Sequence, residues 1–168
     1  MSVITMSKRF EDVVGLLQAR PELPVVVLGC DKCAKTSKTG GTAEVRAMRE
    51  QLRGAKLAVR EVPGLVDAAE EGLCDPQAVP ARLKPLAAEA PCQVLVLSCG
   101  AGLKCVRDVL PRTRLVPGLD TLGPGVKGDL ACLACGDCRF GQDGCKMLRL
   151  AQAQANRLSS AYQGSCRG

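Results

Sequence analysis

The sequence predicts an α/β protein: a small three-layer Rossmann- or flavodoxin-like parallel sheet followed by a Cys-rich, metal-binding C-terminal appendix. Three observations carry that expectation. The runs VVVLGC and VLVLSC are apolar almost throughout and are bounded by turn residues, as strands buried on both faces are. Helical periodicity fills the intervals between strand-like runs, and such alternation means parallel strands joined by right-handed crossovers. The core must be aliphatic, since 168 residues include only two Phe, one Tyr and no Trp.

The first element expected is a helix over about Ser7 to Arg20, with Phe10, Val13, Val14 and Leu17 on one stripe and Pro21 and Pro24 ending it. Pro24 to Gly29 is the first strand, stopping at Cys30. CDKCAKTSKTGG reads as a loop. Thr42 then caps a helix to about Arg53, with Val45, Met48 and Leu52 facing the core and Gly54 as its stop. Lys56 to Val62 is the expected second strand. An acidic stretch leads to Cys74, and the Asp75–Pro76 pair opens a helix into which Pro80 and Pro85 fall. Gln93 to Ser98 is the third strand, followed by CGAG, a helix over about Leu103 to Leu110, and a short fourth strand from Arg114 to Val116. After Thr121 the chain turns rich in Gly and Cys, and Leu148, Ala151, Ala155, Leu158 and Tyr162 mark a last helix. The expected division is an α/β domain with a strand-end cysteine site at 1–121, then a cluster-binding tail and terminal helix at 122–168.

Eleven cysteines are far more than an ordinary soluble protein of this size carries. MSVITMSKRFEDVVG has neither a continuous apolar stretch nor a small-residue cleavage site, so no secretory signal and a reducing, cytoplasmic location are expected. An odd count also leaves one thiol over in any full disulfide scheme. No apolar run approaches the roughly 20 residues of a membrane span. The net charge of +6 comes from Lys and Arg scattered among acids, without a basic tract, so no nucleic-acid partner is expected; an acidic electron donor protein stays open.

Ligands of open α/β sheets gather at the carboxyl ends of the strands, where strand order reverses. Cys30 ends the first strand with Cys33 one turn later, Cys99 ends the third, and Cys74 lies in the loop after the second. Neighbouring strands stand about 4.8 Å apart, so thiolates leaving adjacent ends can meet around one metal centre. Free cysteine is often a small core residue, a reading that stays open for Cys74 and Cys99. It suits Cys30 and Cys33 poorly, because a CxxC pair beside Gly40 and Gly41 is polar and turn-rich.

In the tail, Cys132, Cys135 and Cys138 of CLACGDC have the C-x2-C-x2-C spacing by which bacterial ferredoxins place three thiolates on one cubane. Cys145 and Cys166 are the alternatives for a fourth ligand. These spacings point to one or two [4Fe-4S] clusters. The competing metal is zinc, in an all-sulfur site because the chain has no histidine. Cys92 and Cys105 are left to packing.

Two other motifs fall short. GCDKCAKT approaches the phosphate-binding GxxxxGK[ST] loop, but Ala34 replaces the second glycine. A thioredoxin-like dithiol also puts CxxC after a strand, yet a helix should then begin at the first cysteine, and TSKTGG delays it here. With no histidine and no carboxylate dyad, no acid–base catalysis is expected. Three readings follow: an iron–sulfur electron carrier, a zinc-stabilised assembly module docking a catalytic redox partner, and a thiol oxidoreductase.

LGCDKC followed by TGG, then LSCGAG, PGLDT and CLACGDC, in that order, resemble the small iron–sulfur subunit of the acetogen-type methylenetetrahydrofolate reductase. The same module occurs as a methylenetetrahydrofolate reductase C-terminal-like domain. The resemblance covers nearly all of the chain after the first helix. It implies an electron relay in one-carbon metabolism, between a donor and the flavin of a barrel-shaped partner subunit, within a hetero-oligomer. By motif, Cys30, Cys33 and Cys99 match the family's strand-end cysteines and Cys132, Cys135 and Cys138 its tail, with Cys74 matching more loosely. The family's longer loop with TGGIC-P, its further cysteine and its terminal GPCGG are replaced here by RFGQDGC and GSCRG.

Overall fold

Strands β2 (Val25–Cys30) and β4 (Gln93–Leu97) consist almost wholly of Val and Leu, and every residue in both is buried. They pair in parallel, from Val25 opposite Gln93 to Gly29 opposite Leu97. β3 (Ala68–Ala69) lies beside the end of β2, and β5 (Arg114–Pro117) lies on the far side of β4, giving a four-stranded parallel sheet in the order β3-β2-β4-β5. The protein is thus mixed α/β with a parallel sheet and crossover helices, as expected for a Rossmann-like chain. The computed structural model describes residues 2–69, 72–88, 90–127 and 131–132.

Three helices serve the crossovers: α3 (Thr42–Gly54), α4 (Val79–Ala87) and α5 (Gly100–Val109). Right-handed connections put α3 on one face of the sheet and α4 with α5 on the other, and α4 does pack against α5. Val45 and Leu52 of α3, Val79, Leu83 and Leu86 of α4, and Val106 of α5 join the strand residues in one aliphatic core. α1 (Phe10–Gln18) adds Val13 and Leu17. Gln93, fully buried at the start of β4, donates through Nε2 to the carbonyls of Leu17, Arg20 and Leu23, each at 3.1 Å. It ties the turn after α1 to the sheet.

Several boundaries differ from those expected. The first helix begins at Phe10, because Ser2–Ser7 forms a strand, β1, antiparallel to β6 (Leu119–Lys127). β6 also pairs with β7 (Ala131–Cys132), so a separate three-stranded antiparallel sheet accompanies the parallel one, and β6 runs through position 121. Its ladder shifts register between Ile4 and Thr5, leaving Leu122 unpaired beside Gly123. Gly123, beside this irregularity, takes φ +140°, a value that glycine adopts and that L side chains rarely do.

The expected strand at Lys56 to Val62 is reduced to a bridge between Val59 and Val25. Pro63 and Gly64, the latter at φ +77°, interrupt it, and the chain rejoins β2 only at Ala68. α3 begins at Thr42, with Gly41 rather than Thr42 at its N-cap, and it ends past Gly54 where Lys56 adopts φ +61°. α4 starts at Val79, after Asp75 Oδ1 accepts the amides of Gln77 and Ala78. α5 starts at Gly100, because the glycines read as loop form its first turn.

The loop after β2 folds back over the sheet at Gly40, whose carbonyl accepts the Cys30 amide at 2.8 Å. A Cβ at Gly40 would strike the carbonyl of Leu97 and the side chain of Ala34. Gly40→Ala is therefore expected to destabilise the fold by about 1–3 kcal/mol through overpacking. Urea unfolding monitored by circular dichroism measures this; an unchanged midpoint would show that the loop does not press on β4.

Candidate metal centre

The reversal of strand order falls between β2 and β4: from β2 the chain passes to β3 on one side, then returns to β4 on the other. That is where open α/β sheets leave a crevice beyond the carboxyl ends of their strands. Cys30 is the last residue of β2 and is buried. Cys99, also buried, follows β4 by two residues and holds the N-cap position of α5. Cys74 comes five residues after β3 and is exposed. Cys33, half-buried, opens α2 (Cys33–Thr36), a single helical turn within the segment expected to be loop. Cys30, Cys33, Cys74, Cys99 and Cys105 carry free thiols.

Electrostatics link Cys74 to three of these thiols. The Cys74 thiol is pushed above its ordinary value, first by partial burial of the group and then by the charges of Cys99, Cys30 and Cys33, in that order; a backbone hydrogen bond offsets part of the rise. Nearby like charges disfavour ionisation in this way. Among the described residues, no group of three or more Cys, Asp or Glu side chains is arranged to hold a single metal ion.

Residues that the sequence reading missed hold the cysteine segments in position. Asp31, between Cys30 and Cys33, has a nearly buried side chain. Its Oδ1 accepts the Thr42 amide at 3.0 Å at the start of α3, and its Oδ2 accepts from Lys35 Nζ at 3.0 Å. Glu44 Oε2 accepts the Gly41 amide at 2.8 Å, so both carboxylates serve the N-terminus of α3. Burial opposes ionisation of Asp31, but the bonds from Lys35 and Thr42 and the charge of Lys35 outweigh it, holding the carboxyl below its ordinary value. Only the i, i+4 spacing of Asp31 and Lys35 was visible in the sequence; Thr42 is eleven positions away.

The antiparallel sheet supplies further contacts. The Val3 amide of β1 donates to Cys33 Sγ at 3.4 Å, and the Thr5 amide donates to Ser37 Oγ at 3.2 Å. Thr121 Oγ1 of β6 accepts the Gly100 amide at 2.8 Å, next to Cys99. No local pattern could have revealed these pairs, which are 21 to 32 residues apart.

Of the tail cysteines, Cys132 lies in β7 with its backbone opposite Val126. Val126 is two residues along β6 from Pro124, the partner of Val3. Two strand spacings and two residues of rise separate the backbones of Cys132 and Val3 by roughly 12 Å. Cys135, Cys138, Cys145, Cys166 and the expected last helix lie outside the described residues. Cys92 is buried in the core and Cys105 packs against it.

No protein-family model, no curated protein and no solved structure matches the chain. No helix among the described residues is long and apolar enough to cross a membrane.

Two titrations probe this geometry. A carboxyl held below its unfolded value, about 3.9 for Asp, contributes stability above that pH and loses it as pH falls through the folded value. Asp31→Asn is expected to cost about 1 kcal/mol near neutrality, and the gap to the parent should close in acid, as read from urea midpoints between pH 7 and pH 3. In the metal-free chain, alkylation of Cys74 should require higher pH than an ordinary thiol does, and Cys99→Ser should lower that requirement. Identical pH profiles for Cys74 in both chains would mean that the thiols do not face one another.

Proposed function

We propose that the protein is an iron–sulfur electron carrier in which Cys30, Cys33, Cys74 and Cys99 hold a [4Fe-4S] cluster. The observation that carries this reading is the exit of Cys30 and Cys99 from adjacent strands at the strand-order reversal, with the Cys74 thiol raised by burial and then by the charges of Cys99, Cys30 and Cys33. The donor set suits iron: it is all sulfur, the chain has no histidine, and Asp31 is already committed to Thr42 and Lys35.

The bound cluster would supply one-electron transfer. The chain's own residues hold it at the end of the sheet, with Cys30 and Cys99 on the buried side and Cys74 at the exposed side. That exposed edge is where a partner would approach. The ordered motifs resembling the small subunit of the acetogen-type methylenetetrahydrofolate reductase support a flavin-containing reductase subunit as acceptor, in a hetero-oligomer of the cytoplasm. The three-layer, flavodoxin-like description and a second cluster on Cys132, Cys135 and Cys138, completed by Cys145 or Cys166, belong to the same proposal.

Anaerobic reconstitution with iron and sulfide tests it. The expected result is broad visible absorption and an EPR signal on reduction, with one cluster's iron lost in Cys30→Ser and in Cys99→Ser. A protein that takes up only zinc, with no redox signal, would instead be an assembly module. A colourless protein that reduces insulin in a Cys30-dependent manner would be a thiol oxidoreductase.

A further inference from the structure

The open edge of β1 meets the cysteine loop with unusual regularity. β1 has β6 on one side only, and the amides of Val3 and Thr5 point away from that partner. An edge strand leaves every second amide without a ladder acceptor. Here the acceptors are Cys33 Sγ and Ser37 Oγ, four residues apart, at the first residue and the C-cap of the short helical turn that the second cysteine of the CxxC pair opens. Thr5 Oγ1 and Thr39 Oγ1 extend the seam at 2.7 Å. The sulfur is the one acceptor in this seam with a proposed role in chemistry.

We propose that the Val3 amide is an outer-sphere donor to the Cys33 thiolate that raises the reduction potential of the centre. This rests on the iron–sulfur reading. A reduced cluster carries one more negative charge than an oxidised cluster, spread over iron and sulfur. An N–H aimed at a ligand sulfur therefore stabilises the reduced form more, and the potential moves upward. Val3 acts through its backbone, so a side-chain survey would pass it by. It is a positioning and tuning residue, not a ligand.

Proline isolates the effect, because it removes the N–H and is tolerated on a strand edge where that N–H serves no ladder. Val3 sits opposite Pro124, which has no N–H to offer, so Val3→Pro leaves the pairing with β6 intact. The experiment reconstitutes the full chain, Val3→Pro and Thr5→Pro, and reads the cluster midpoint potential by EPR-monitored titration. Val3→Pro is expected to shift the midpoint to a more negative value with unchanged iron content. Thr5→Pro removes the neighbouring edge amide, which faces Ser37 rather than sulfur, and is expected to leave the midpoint where it was. An unshifted midpoint in Val3→Pro overturns the proposal, as do equal shifts in both variants, which would mark a general effect of strand placement. If Val3→Pro takes up no iron, the parent chain decides. Loading should then slow hydrogen exchange of the Val3 amide, and equal exchange with and without cluster overturns the proposal. A parent chain that binds no iron sinks the electron-carrier reading itself, and this inference with it.

Discussion

The parallel pairing of β2 with β4 is the constraint from which the site follows. Five consecutive residue pairs, Val25–Gln93 to Gly29–Leu97, bring the two most apolar segments of the chain into register at the centre of the core. Full burial of Val or Leu side chains contributes about 1.5–3 kcal/mol each, so slippage of this ladder would expose more apolar surface than any surface contact could offset. Register then decides chemistry. Because Gly29 lies opposite Leu97, Cys30 and Cys99 leave the sheet at the same end and on adjacent strands.

Around that end the chain commits its polar groups to holding loops rather than to surface ion pairs. Lys104 with Asp108, and Arg53 with Glu61, lie in solvent and contribute little. Arg49 is different. It is 8% exposed, reaches Asp67 Oδ1 at 2.5 Å and the Val27 carbonyl at 3.4 Å, and so anchors α3 to β2 and to the approach of β3. Asp67 in turn accepts the Gly29 amide on its carbonyl, which sets the chain beside β2 just before the segment that carries Cys74. Asp31 plays the matching part on the other side of Cys30, and the β1–β6 pair steadies Cys33 and the Cys99 turn. Lys8 and Asp120 form an ion pair across that same β1–β6 junction.

The elements most legible in the sequence were those whose physics is local. β2 and β4 announced themselves as continuous apolar runs, and α1 and α3 as amphipathic stripes; their cores lay where the periodicity placed them. The elements that went astray depend on distant partners. SVITMS carries Ser or Thr at three of its six positions and no strict apolar alternation, and LDTLGPGVK contains the Gly-Pro-Gly of a loop. Each becomes a strand because the other supplies its ladder, from more than a hundred positions away. The Lys56–Val62 strand failed for the opposite reason: its local pattern is favourable, but Pro63 and Gly64 turn the chain out before pairing extends.

By itself the sequence determined the class of sheet, the aliphatic core, the cysteine groups and the strand ends that carry three of them, because hydrophobic periodicity and residue spacing act over a few positions. Only the tertiary structure decided that Cys74 shares an electrostatic neighbourhood with Cys30, Cys33 and Cys99. The same holds for Asp31 at the start of α3 and for the backbone of Val3 against a sulfur. Those relations arise from strand order and from the folding of loops over the sheet. They join residues whose separation along the chain leaves no periodic trace.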